Sequence, residues 1–245
     1  MEKESIISKI HKENAEIEDY KISDAGYIST EEGKRRGVRK KVFEGPDGRH
    51  YYVYKEVRDL DEAERTMDIY GTFKRLGIPV AGFAKIIKKR VGESDEFIVA
   101  MEDLTDDDKL EVVEIFQLKD WFINKGLLIP QEIKIGMVQA LARIHNEGIF
   151  DFHPGLSFAL RVKKIEGEDD FSVFDFRVID YANFMREGVP GIPLPKVRSV
   201  AGVYKEEQVE DLNFMLTRVT IDNREREYLK KIYRNERSEK SEKTD

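Results

Sequence analysis

The chain has 245 residues, with 42 Lys and Arg against 49 Asp and Glu, so its formal charge of −7 gives no overall attraction for nucleic acid. Hydrophobic residues at 40% and charged residues at 37% exclude both a disordered chain and a membrane-embedded one, and leave room for one large domain or two joined lobes. Without a single Cys, disulfides, thiolate metal sites and cysteine nucleophiles are ruled out, and 4 His leave little for a metal centre. The first thirty residues mix charges with short apolar stretches and do not read as a secretory signal, so a cytoplasmic location is expected. The longest apolar run, Phe97-Ile98-Val99-Ala100-Met101, is far short of the ~20 residues that span a bilayer, so no transmembrane segment is expected and peripheral membrane contact stays open.

Residues 1–18 alternate charge with Ile6, Ile7, Ile10 and Ile17 and predict a short amphipathic helix. Between about Tyr20 and Val57 the pattern turns to β. The Gly45-Pro46-Asp47-Gly48 turn separates Lys40–Glu44 from Tyr51–Val57, a hairpin whose aromatic and β-branched second strand should be central in its sheet. Leu60, Ala63, Met67, Ile69, Tyr70 and Phe73 recur at helical spacing up to Gly77 and predict a helix over 60–76. Strands follow at 84–91 and 96–101 about the Gly92–Asp95 turn. Helices are then expected over 107–125 and 131–147, strands over 158–164 and 171–180, and helices near 205–218 and 222–234. Residues 235–245 carry too little apolar surface to fold and are expected to be disordered. The order predicts an α+β chain: an N-terminal helical extension over 1–18, a sheet-based lobe with one helix over 19–103, and a mainly helical lobe over 104–234.

Several segments bear on chemistry. Lys55 ends an apolar stretch, Tyr52-Val53-Tyr54-Lys55, where an ammonium needs either a partner or an outward position. Glu64 falls on the inward stripe of the 60–76 helix and is a partner of the right charge. Asp180 stands at the end of a strand containing Phe174, Phe176, Val178 and Ile179. Between the helix 131–147 and the strand 158–164 lies Phe150-Asp151-Phe152-His153-Pro154-Gly155-Leu156-Ser157. Lys34 to Lys41 hold six basic residues and no acid, which a solvated strand face explains and which would also steer an anion.

Taken in order, Tyr52-Val53-Tyr54-Lys55, Phe73-Lys74-Arg75-Leu76-Gly77-Ile78-Pro79-Val80, Ile98-Val99-Ala100-Met101-Glu102-Asp103-Leu104, Leu141-Ala142-Arg143-Ile144-His145-Asn146-Glu147-Gly148-Ile149 and Val178-Ile179-Asp180 resemble the protein-kinase-like superfamily. The resemblance covers about Gly26 to Phe184 and is closest to the aminoglycoside/choline kinase-like and lipopolysaccharide-kinase-like branches. It implies a two-lobed fold that binds ATP and Mg²⁺ and transfers a phosphoryl group to a hydroxyl of a small molecule or glycolipid, rather than to protein. Lys55, held by Glu64, would contact the α- and β-phosphates; counting back from Gly77 points instead to Thr66, with Glu62 a further choice. The adenine would lie against backbone of Met101, Glu102 and Leu104, and Asp180 would hold Mg²⁺. Two alignments of the loop remain. One makes Asp151 the proton acceptor and puts Leu156 at the family's metal-binding Asn; the other puts His153 at the acceptor and Phe158 at that Asn. A non-catalytic member that binds nucleotide or a protein partner without transfer is the alternative.

Overall fold

Lys21–Tyr27 (β1), Arg39–Gly45 (β2), Gly48–Val57 (β3), Ala84–Val91 (β4) and Ser94–Glu102 (β5) form a five-stranded antiparallel sheet in the order β1-β2-β3-β5-β4. In this computed structural model the described residues are 21–27, 39–45, 48–57, 59–82, 84–91, 94–102, 104, 110–151, 157–165, 171–179, 181, 184–186 and 200–238. They fall into two compact units, one drawn from Met1–Gly71 and Ala81–Asp107, the other from Thr72–Val80 and Asp108–Asp245. The expected helix 1–18, positions 28–38 of the basic and Gly-containing stretch, and residues 239–245 lie outside the described residues.

In the first unit, β3 is the central strand, as its aromatic and β-branched content predicts. Gly45 pairs with Gly48 to close the first hairpin, and Val91 pairs with Ser94 to close the second. The helix Leu60–Arg75 (α1) joins β3 to β4. Asp59 caps it, its side chain accepting the Glu62 N–H at 2.8 Å, and acids in the first turn with bases in the last suit the helix dipole. It stops at Gly77, where Ile78 N–H returns to the Phe73 carbonyl at 3.0 Å and Gly77 N–H to that of Lys74 at 3.2 Å. Ala63 of α1, Ile86 of β4 and Val99 of β5 form a buried cluster, with Met67, Phe97 and Met101 packed on it. Burying each large apolar side chain of this kind contributes about 1.5–3 kcal/mol.

The second unit holds Leu110–Glu114 (β6), a 3₁₀ turn at Ile115–Gln117, Leu118–Lys125 (α2), Gln131–Asn146 (α3), Ile149–Asp151 (β7), Phe158–Lys164 (β8), Phe171–Val178 (β9), Phe184–Arg186 (β10), Val200–Val219 (α4) and Asn223–Ser238 (α5). Strands β6, β8 and β9 make a three-stranded antiparallel sheet with β8 in the middle, and β7 pairs with β10 as a ribbon. Helix α3 is the core element, burying Met137, Val138, Ala140, Leu141, Ala142, Ile144 and His145. Helices α3 and α5 run in the same direction: Lys134 near the start of one pairs with Glu225 of the other, and Arg143 near the end pairs with Glu236, both at 2.7 Å.

Two expectations are corrected here. Residues 110–114 form a strand rather than the start of a helix: Val113 and Ile115 are buried while Val112 and Glu114 between them are partly exposed, a period of two, and β6 pairs with β8. Residues 235–238 are helical rather than disordered, since Glu236 is tied to Arg143 and to the Asn146 side chain, which extends α5 beyond what its own sequence supports.

The turn from α3 to β7 depends on Gly148, whose φ is 67°. Gly148→Ala forces a side chain into the left-handed region and is expected to lower stability by about 1–2 kcal/mol. Urea denaturation should show the midpoint falling with the slope unchanged; an unchanged midpoint would refute a left-handed turn at this position.

Candidate functional site

The predicted site residues divide between the two units. In the first, Lys55 stands opposite Val99 in the β3–β5 register, and residues so paired belong to one face of a sheet. Val99, 2% exposed, lies in the cluster that includes Ala63 of α1, so Lys55 belongs to the helix-side face. Glu64 is half-buried on α1, one residue after Ala63. Its Oε1 is buried and has no hydrogen-bond partner among the described residues. A buried carboxyl oxygen without a partner is costly, and such an atom marks a place where a cation or donor belongs. Thr66, the alternative position on the helix, is 4% exposed and spends its hydroxyl on the Glu62 carbonyl at 2.7 Å.

Met101, Glu102 and Leu104 follow at the end of β5. Met101 is partly buried on the α1-side cluster, between Val53 and Ala84 in register. Glu102 is exposed and accepts a hydrogen bond from Gly82 N–H through Oε2, which fixes the chain just before β4. Leu104 is 9% exposed. The first unit therefore brings Lys55, Glu64 and Met101 to one side of one sheet.

In the second unit, Asp151 closes β7 and pairs with Phe184 of β10. Its side chain, like His153 and Asp180 as a whole, lies outside the described residues. The chain on both sides of these positions is well tied. Phe158 pairs with Val178, the Ser157 carbonyl accepts the Ile179 N–H at 2.6 Å, and Val178 N–H donates to the Pro79 carbonyl at 2.8 Å. Tyr181, directly after Asp180, is 1% exposed. Its ring meets Phe73 edge-on at 6.3 Å, and Phe73 in turn meets Phe184 at 4.8 Å. An aromatic trio therefore anchors the segment after Asp180 and the strand that pairs with Asp151.

Behind β7 lies a polar cluster that the sequence reading missed. His145 of α3 is 2% exposed, with Nδ1 2.6 Å from the Tyr233 hydroxyl of α5 and Nε2 3.0 Å from Oδ2 of Asp211 on α4. Asp211 is itself 3% exposed. Burial lowers the His145 pKa below its usual 6.5, outweighing the opposing pull of Asp211. Burial also pushes Tyr233 up to about 12, so its hydroxyl keeps its proton. Neutral His145 thus donates from Nε2 to Asp211 and accepts the Tyr233 O–H at Nδ1. The signal was available: His145 sits four residues after Leu141 on the apolar stripe of α3, where an imidazole requires partners. What the sequence could not supply was their identity, because Asp211 and Tyr233 are distant in the chain.

Compared with protein-family models and with curated proteins, the chain matches no family model and no curated protein.

Proposed function

We propose that the protein is an ATP- and Mg²⁺-dependent phosphotransferase of two-lobed kinase-like fold, with a hydroxyl of a small molecule or glycolipid as acceptor. The observation that carries this reading is the buried, unpartnered Oε1 of Glu64 on a helix packed against the sheet face to which Lys55 belongs. A strand lysine and a helix carboxylate on the same face make an ion pair that holds the ammonium toward a polyphosphate. The order β1-β2-β3-β5-β4, with the single helix inserted between β3 and β4, supports the same reading.

Asp180 fits a magnesium ion bound to a nucleotide, because Mg²⁺ takes one or two carboxylates together with phosphate oxygens and water. Bound there, the ion would neutralise charge on the transferring phosphate. In the reaction the bond from the γ-phosphorus to its bridging oxygen breaks and one to the acceptor oxygen forms. Asp151 or His153 receives the acceptor's proton, and ADP leaves. Asp151 and His153 stand as alternatives, because one alignment puts Leu156 and the other Phe158 at the family's metal-binding Asn.

The same two alignments support a second reading. Neither Leu156 nor Phe158 supplies a second metal ligand, so a nucleotide-binding protein without transfer is the alternative. One experiment addresses both. Mg-ATP at a hundredfold excess over Kd is expected to raise Tm by roughly 5–10 °C, and Lys55→Ala and Asp180→Ala each to abolish the shift. No shift in the parent protein, or the same shift in both variants, overturns nucleotide binding. ADP release that depends on Asp151 selects transfer; binding without any ADP release selects the second reading.

A further inference from the structure

Helix α5 is attached in an unusual way. Among the described residues, Leu229 is its one member of the buried apolar core. Among the described residues its attachment to α3 includes a set of polar contacts: Lys134 to Glu225 and Arg143 to Glu236 at 2.7 Å, Asn146 to the Glu236 carbonyl at 3.2 Å, and the His145–Tyr233 contact at 2.6 Å, where the two rings also meet edge-on. Polar contacts of this kind contribute little net stability each, so α5 can part from the unit at far lower cost than α3. The one buried titratable link among them is His145, which contacts both other helices: Tyr233 of α5 and Asp211 of α4.

We propose that α5 is a proton-released clasp: a neutral His145 ring holds it against α3 and α4, and protonation of that ring detaches it. The ring is fully occupied in its neutral form. Nδ1 accepts the Tyr233 hydroxyl proton, and a proton on Nδ1 would put two donors face to face across 2.6 Å. The groups around it decide the balance. Asp211 on α4 favours the cation; Arg237 on α5 opposes it; Tyr233 on α5 stays protonated. On α3 itself Arg143 is engaged with Glu236. Strand β7 brings the buried apolar Ile149 and Phe150, and ends in Asp151. Burial outweighs Asp211, so the closed state resists the proton.

The direction follows by linkage. The open state exposes the imidazole, binds more protons than the closed state below pH 6.5, and gains tenfold per pH unit until the lowered closed-state value is reached. Closure is complete above 6.5 and is lost as pH falls. Between pH 6.5 and 5 the opening constant should rise by up to roughly 15-fold, the exposed ring being half protonated at 6.5. This inference is independent of the phosphotransferase reading.

Hydrogen exchange of the full chain, corrected for intrinsic rates, tests it. Amides of α5 are expected to open more at pH 5 than at 6.5, by up to roughly 15-fold, while those of β8 and β9 keep their protection. His145→Gln, which stays neutral and retains a donor toward Asp211, should remove the pH slope. Tyr233→Phe, which keeps the ring and deletes the hydroxyl, should raise opening at pH 6.5 and flatten the slope. Opening of α5 that does not vary with pH overturns the proposal. So do α5 and β8–β9 amides opening together, and a parent-like slope in either variant.

Discussion

Phe73→Ala is expected to lower the free energy of unfolding by about 3–5 kcal/mol, the cost of deleting a fully buried aromatic ring and leaving its cavity. Phe73 is 0% exposed and meets both Tyr181 and Phe184 edge-on. Its loss removes the transfer energy of the ring and also two aromatic contacts, each worth about 0.5–1.5 kcal/mol beyond burial. The two partners flank the proposed chemistry: Tyr181 follows Asp180, and Phe184 pairs with Asp151. Phe73→Leu keeps part of the volume and should recover part of the loss. Urea denaturation of the two variants measures both effects, and a cost below about 1 kcal/mol for the alanine would mean that the ring does not support this unit. If nucleotide binding depends on Asp180, the alanine variant should also weaken the Mg-ATP shift while Gly148→Ala, which leaves the trio intact, should not.

Asp211→Ala is expected to cost about 2–3 kcal/mol at pH 7.5, because the Nε2–H of a fully buried His145 is left without an acceptor. Asp211→Asn offers the same geometry with an amide oxygen and should cost less than about 1 kcal/mol. The comparison separates a hydrogen bond from simple packing: equal costs for the two substitutions would show that the acceptor at position 211 contributes nothing. Since His145 ends α3 just before Gly148 and β7, the alanine variant is also expected to raise exchange of the β7 and β10 amides.

Much of the local structure was legible because it is set by short-range periodicity. The helix over 60–75 showed its apolar stripe and its Gly77 stop, and the strands at 84–91 and 158–164 showed β-rich runs between turn residues. The strand at 110–114 was misread because Leu110-Glu111-Val112-Val113-Glu114 fits a helical spacing almost as well as a strand; only the free edge of β8 chooses between them. Helix α5 ran past its expected end for a similar reason, its last turn being fixed by Arg143 and Asn146 of another helix. Among the site residues, Lys55 and Glu64 were singled out from charge on apolar stripes, and the register of β3 with β5 assigns Lys55 to the helix-side face. The two alignments of the loop at 150–158 are not separated in sequence, where both Asp151 and His153 keep the family's spacing, because the choice rests on which side chain meets the acceptor and not on local pattern.

The sequence by itself determined the α+β class, most of the elements and the residue types available for chemistry, since these depend on side chains within a few positions of one another. The tertiary structure decided which strands are neighbours, which carboxyl oxygen on α1 is left buried without a partner, and that His145 is shared by Asp211 and Tyr233. Those outcomes depend on burial and on pairings between residues far apart in the chain, and the energy of a buried polar group is set by whichever distant residue reaches it.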